Sequence, residues 1–314
     1  LLITWKRPKE TLKVIEALSI LKPSNIYISS DGARLNYPKE FKKVNDTRKI
    51  VEKYINWEAD IKTLYHKKNN GCMKGVSSAI NWFFDNEDEG IILEDDCVPH
   101  PDFFPFCEEL LQKYRDDKRI WCITGNNLQG NKWIGKSSYY FSRYNHCWGW
   151  ASWKRCWRNY DSKIKDWPNF YKSGLFESLF FHKKELKHWK KTFDSIYYFG
   201  KPDTWDYQWT YTCFINSGLT AIPNRNLIEN IGFNQEGTHT KKGNSPSILD
   251  NHEKGKSGIL PLTHPEYIVR SEDADRYTEL MYFSGPNRFS LLYLSKLLKR
   301  ILNRLIIIRS YFKG

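Results

Sequence analysis

Three consecutive carboxylates, Glu94, Asp95 and Asp96, follow the apolar run of GIILEDDCVP. Like charges this close repel, and a buried carboxylate is costly without a cationic partner. A divalent cation would relieve the repulsion. Hard cations take oxygen ligands, and Mg2+ or Mn2+ binds through one or two carboxylates plus phosphates. The triplet therefore expects a metal–diphosphate site. Alone, it reads equally as a solvated acidic turn opening the helix at HPDFF.

Other residues of this kind are spread along the chain. Asp31 and Gly32, in SSDGA, offer an acceptor to a base or ribose, or form an ordinary Asp-Gly turn. Asn69, Asn70 and Gly71 precede a helix start, where free N–H groups attract anions or are simply capped. Asp203 and Asp206 lie in DTWDYQW, three residues apart, and would share a helix face. Either would serve as a general base or as an acid at its own helix start. His239 is a further metal-ligand candidate, although a lone histidine is more often structural.

The elements that would position these residues alternate. LLITW, NIYISSDGA, IKTLYH, GIILEDD and RIWCITG read as strands. Helical spacing fills the intervals, at 8–21, 39–55, 71–86 and 101–116, and Pro8 suits a first turn. Such alternation predicts an α/β fold, a mostly parallel sheet flanked by helices. Ligands then bind outside the carboxyl ends of the strands, which puts Asp31 and the carboxylate triplet on one rim. No GxGxxG follows the first strand and no GxxxxGK[ST] occurs, which disfavours a Rossmann dinucleotide fingerprint and a P-loop. Beyond 130 the pattern loosens. SSYYFSRYNHCWGWASWKRCW expects an aromatic helix or loop, and 236–262 expects a long flexible loop.

Composition narrows the classes further. The net charge of +13 fits phosphate-bearing ligands, anionic lipid or nucleic acid. Residues 286–314 carry seven Lys or Arg and no acid, with one polar face between Leu291 and Ile308. That segment expects a basic amphipathic helix on a membrane surface, or one docked on its own core. Seven cysteines at irregular spacing, with no CxxC, argue for a reducing compartment rather than a disulfide framework or zinc site. No signal peptide is visible.

In order, DGA, NNG, IILEDDCVPHPDFF, CWGWASW, TWDYQW and IPNRNLIENIGFNQEGTHT resemble nucleotide-sugar glycosyltransferases of the GT-A fold. Within that group the resemblance is to N-acetylglucosaminyltransferases that initiate hybrid and complex N-glycans, and to related bacterial, haemolysin-like sugar transferases. It spans about residues 1–240. It implies that Asp96 ligates Mn2+ or Mg2+, Asp95 holds the ribose or metal-bound waters, and Glu94 faces the donor sugar. Asp31 would contact the nucleoside, and Asp206 would be the catalytic base, with Asp203 its rival. Trp148 and Trp150 would line the donor sugar or acceptor entrance.

The loop of His239 departs from the animal enzymes, which leaves its role open. The implied organisation is a nucleotide-sugar-binding half at 1–130, an acceptor half of the same domain at 131–285, and the tail. The implied activity is metal-dependent inverting sugar transfer. The expected donor is a UDP-sugar, with UDP-N-acetylglucosamine leading, and the acceptor a glycan or lipid-linked glycan. The expected location is the inner face of a membrane, on the cytoplasmic side. The alternatives are a nucleic-acid-binding protein, which the acidic rim disfavours, and a sugar-nucleotide pyrophosphorylase. A pyrophosphorylase's Gly-rich phosphate loop is not supplied by TWKRPKE.

Overall fold

The computed structural model describes residues 1–130, 132–180, 182–232 and 258–283. The first half follows the predicted alternation: β1 (Leu2–Thr4), α1 (Pro8–Leu21), β2 (Asn25–Ser30), α2 (Pro38–Tyr54), β3 (Asp60–Tyr65), α3 (Cys72–Asn86) and β4 (Glu89–Glu94). Then come β5 (Cys97–Pro99), α4 (Phe103–Lys113) and β6 (Ile120–Thr124). Pro8 and Pro38 sit in the first turns of α1 and α2, where a missing N–H costs nothing. Helix α1 buries Thr11, Val14, Ile15 and Leu18, one stripe at helical spacing. Helix α2 buries Val44, Thr47 and Val51, whereas Phe41 and Tyr54 stay exposed.

The aromatic stretch after 130 departs from expectation. It contains two strands, β7 (Tyr139–Ser142) and β8 (Trp150–Trp153), rather than a helix or loop. All eight of these residues are buried, so they show no period-two alternation to announce a strand. Short helices α5 (Lys154–Trp157), α6 (Trp167–Lys172) and α7 (Leu175–Ser178) follow. The chain continues through α8 (Lys183–Phe199), α9 (Asp206–Ile215), β9 (Leu219–Pro223), β10 (Ile228–Asn230) and α10 (Glu272–Thr278).

The fold is mixed α/β, built on one eight-stranded sheet in the order β3-β2-β1-β4-β8-β6-β9-β7. Four of its seven pairings are parallel; β8 runs antiparallel to both β4 and β6, and β7 antiparallel to β9. The predicted parallel strands are therefore all present, but β8 separates β4 from β6. Strands β5 and β10 form a small antiparallel ribbon beside the end of β4. The sheet draws strands from both sides of residue 130.

The core is rich in indoles. Trp121, Trp150, Trp157, Trp205 and Trp209 pack together between the sheet and α9. A second aromatic cluster joins Tyr144, Trp167, Phe176, Trp189, Phe193 and Tyr211 under α8 and α9. Of the 13 tryptophans, Trp133 alone is exposed. Among the described residues no helix is long and apolar enough to cross a membrane. The expected amphipathic helix at 286–314, and His239, lie outside the described residues, as does most of the loop expected at 236–262.

Candidate active site

The partner of the carboxylate triplet is an arginine. Strand β1 lies beside β4, with Ile3 opposite Glu94, so the chain leaving β1 passes directly over the carboxylates. Arg7 Nη1 donates to Asp95 Oδ1 at 3.1 Å and to Asp96 Oδ2. The backbone N–H of Trp5 donates to Asp95 Oδ2 at 3.0 Å. Asp95 and Asp96 are buried, and Arg7 is largely so.

One guanidinium faces three acids, and the charge does not balance. Burial, then the charges of Asp96 and Asp95, push the Glu94 carboxyl up to about 8. Burial outweighs Arg7 at Asp95 and lifts it to about 6. Burial works against the charge on Arg7, but Asp95, Asp96 and Glu94 together outweigh it and hold the guanidinium protonated. The next turn closes on the same group. Ile231 N–H donates to the Asp96 carbonyl, and a Cβ on Gly232 would fall 2.0 Å from Asp96 Oδ2. Only glycine lets the backbone come this close.

Asp206 opens helix α9 within electrostatic reach of Glu94. Its charge contributes to the rise at Glu94, and both acids act on the Cys72 and Cys147 thiols. Burial is the larger cause for each thiol and holds it above its ordinary range. Thr204 Oγ1 donates to Asp206 Oδ1, which fixes the carboxylate; among the described residues its other oxygen accepts no hydrogen bond. Tyr160 lies against the same group, raised by burial and then by Asp206.

Asp203 does something else. It precedes α9 rather than lying on it, so the shared helix face with Asp206 does not exist. Its carboxylate accepts from the backbone N–H groups of Cys72 at 2.9 Å and Met73 at 3.0 Å, capping α3 from 131 residues away. Gly71, at φ +80°, is required there: a Cβ would meet Asp203 Oδ2 at 2.7 Å. Of the readings open for these residues, the hydrogen bonds show the cap: Asp203 occupies the N–H groups after Gly71.

Asp31 sits on the rim as expected, with its hydrogen-bonding capacity already used. Its oxygens accept from Gly32 N–H at 2.9 Å, Asn69 Nδ2 at 2.8 Å, and Asn70 N–H and Nδ2 at 3.0 and 3.2 Å. Burial still raises its carboxyl despite these donors. Asn70 therefore braces Asp31, and a nucleoside would have to displace one of these contacts. Trp5 links this cluster to the triplet, since its indole N–H donates to the Gly32 carbonyl at 2.9 Å.

The expectation for the tryptophans divides. Trp148 is half-buried against the core. Trp150 is fully buried, stacked on Trp205 at 5.5 Å, and offers no face to a ligand. Its position in β8, opposite Ile92, commits the ring to the interior.

Sequence reading missed Arg7, Trp5, Cys72 and Tyr160. For Arg7 a signal existed: TWKRPKE ends a strand on the same rim as the acids. Its pairing with Asp95 and Asp96 required knowing that β1 borders β4.

Among the described residues no three His, Cys, Asp or Glu side chains are grouped to hold a metal ion. The donor chemistry nevertheless fits a hard cation bound in part by phosphate oxygens. Glu94, Asp95 and Asp96 are oxygen ligands, and Arg7 leaves their charge under-compensated.

No family model matches the chain, and no curated protein does. Among solved structures the chain is similar to UDP-glucose pyrophosphorylase complexed with UDP-glucose. That match has 12% identity and a TM-score of 0.27, covering 50% of this chain and 77% of that chain. A likeness of this strength says nothing of what the present chain binds or does.

Proposed function

We propose that the chain is an inverting glycosyltransferase that moves a sugar from a nucleoside-diphosphate donor to a glycan hydroxyl. The observation that carries this reading is that Asp206, held at the start of α9, lies within electrostatic reach of Glu94, beside the Arg7–Asp95–Asp96 cluster. Inverting transfer needs a base on one face of the sugar and a stabilised leaving group on the other. Asp206 takes the proton from the acceptor hydroxyl through its unengaged oxygen. Arg7, with five donors in a rigid fork, turns from the carboxylates to the departing diphosphate. Asp95 and Asp96 would hold Mg2+ or Mn2+. When bound, that ion neutralises charge on the leaving diphosphate. Glu94 is placed at the donor-sugar side, where burial and then the charges of Asp96 and Asp95 raise its carboxyl.

A UDP-sugar, with UDP-N-acetylglucosamine first, is the donor to test. The acceptor to test first is a glycan or lipid-linked glycan of the surface-polysaccharide type. The residues argue against the pyrophosphorylase reading: α1 begins with Pro8 straight after Arg7, with no glycine loop to cradle a phosphate. The deciding experiment follows transfer from a panel of nucleotide sugars by wild type and Asp206→Asn, with nucleoside-diphosphate binding measured in both. The expected result is transfer from one donor class, lost in the variant while binding persists. Unchanged turnover in Asp206→Asn overturns the reading.

A further inference from the structure

Twelve of the 13 tryptophans are wholly or partly buried; Trp133 is 45% exposed. It is carried on the loop between β6 and β7, and that loop is braced at several points. Ile134 N–H donates to Asn224 Oδ1 at 2.7 Å, and Asn224 Nδ2 donates back to the carbonyls of Ile134 and Ser137. Gln129 Nε2 donates to the Ala274 carbonyl at 3.0 Å and to Thr278 Oγ1 at 2.9 Å, tying the loop to α10. A large indole held out by a fixed loop is a pre-ordered contact surface with little entropy left to lose on binding.

The space it overlooks is an open depression of about 520 Å³ between the loop and α10. Trp133 and Tyr277 supply aromatic walls, and Lys132, 4.9 Å from the Tyr277 ring centre, Arg276 and Asp273 supply polar ones. Across Ile134 lies a second cleft of about 340 Å³ with the same make-up, Tyr267 beside Lys136 and Glu266. Tyr267 is 69% exposed. Tyr139, the first residue of β7, pairs with Pro223 at the end of β9, and β9 runs parallel to β6. The loop before Tyr139 therefore stands on the rim that carries the carboxylates, at its far end.

We infer that the cleft lined by Trp133, Tyr277, Lys132, Arg276 and Asp273 is a carbohydrate-binding subsite that takes pyranose units of a glycan. A pyranose presents a C–H face to an aromatic ring and hydroxyls around its edge, which match a mixed set of donors and acceptors. Asp273 accepts from hydroxyls and repels phosphates. Two cations offset by one acid give too little positive charge for a nucleic-acid strand, whose binding rests on a basic track. The adjoining cleft lets the bound chain extend past Ile134. The inference rests on the sugar-transfer reading in one respect only: the glycan held here would be the acceptor.

The test measures binding of chito-, manno-, gluco- and galacto-tetrasaccharides to the full chain by calorimetry. Wild type, Trp133→Ala and Trp133→Phe are compared, with single-stranded RNA as a competitor class. One oligosaccharide class is expected to bind wild type. Trp133→Ala should bind about tenfold more weakly. Trp133→Phe should fall between, and uridine diphosphate binding should be the same in all. No oligosaccharide binding, equal binding by Trp133→Ala, or salt-sensitive RNA binding in place of glycan overturns the inference. Glycan binding lost in Trp133→Ala, with no transfer from any nucleotide sugar, keeps the subsite and overturns the transfer reading. Transfer with an acceptor KM unchanged by Trp133→Ala does the reverse.

Discussion

Asp203 caps Cys72: a carboxylate just ahead of α9 accepts the first free N–H of α3 at 2.9 Å across 131 residues of chain. This one contact joins the strand-and-helix half of the chain to the half that carries Asp206. It also separates two acids that stand three apart in sequence. Asp206 acts on Glu94, and Asp203 holds the start of α3.

Removing the cap should therefore cost stability. Asp203→Ala is expected to destabilise by about 1–2 kcal/mol, the usual value of a lost N-cap. Gly71→Ala should cost at least as much, since it combines a positive φ with a clash against Asp203. Urea titration measures both. Transfer by the folded fraction of Asp203→Ala should stay within a few-fold of wild type, in contrast to Asp206→Asn. A loss of turnover as deep as that of Asp206→Asn, with stability unchanged, would return Asp203 to the role of base.

Arg7→Met should be far more damaging. Removing one side of a buried ion pair leaves uncompensated charge, typically about 3–5 kcal/mol. The loss should be larger at pH 8 than at pH 5.5, because Glu94 and Asp95 can take up protons at the lower pH. Denaturant midpoints at the two pH values test this, and a pH-independent loss contradicts the charge argument.

Glu94 gives a pH signature with a definite sign. Its carboxyl is raised on folding to about 8, so between the ordinary carboxylate range and about 8 the folded chain holds a proton that the unfolded chain has lost. Stability should then fall as pH rises through this window. Glu94→Gln removes the titration and should flatten that part of the curve, gaining stability at pH 8 relative to wild type. Thermal transitions from pH 4.5 to 8.5 measure it; parallel curves for the two proteins would contradict the assignment.

Cation and nucleotide should stabilise the chain jointly. With uridine diphosphate in excess, Mn2+ should raise the melting temperature of wild type more than the sum of the separate effects. Asp96→Asn should abolish the synergy. A rise with uridine diphosphate alone, insensitive to metal and lost in Arg7→Met, would mean that the arginine replaces the cation.

The early strands were legible as short apolar runs set between stretches of helical spacing, and Pro8 marked the start of the first helix. Strands β7 and β8 were not, because YYFS and WASW lie in one continuous aromatic-rich stretch with no helical spacing between them to bound each strand. The acidic rim was legible from strand ends alone. Arg7 as its counter-charge depended on β1 bordering β4, a fact of sheet order. The cap by Asp203 depended on a contact over 131 residues, which no local pattern encodes. Trp150 misled because an indole suits a sugar face and a packed core equally, and only its place in β8 decides between them.

The insertion of β8 between β4 and β6 has a consequence for how the chain is made. As residues emerge in order during synthesis, β4 gains its neighbour β1 at once, but its other edge stays bare until residues 150–153 arrive. Strand β6 gains no partner before β8 and none on its far side before β9. A nascent chain that has emerged as far as about residue 130 thus presents an unpaired strand edge carrying Ile91 and Ile92, a surface prone to mispairing with other chains. The carboxylates at the tip of β4 and Asp206 at the start of α9 are consequently brought together late, after residues 150–206 have emerged.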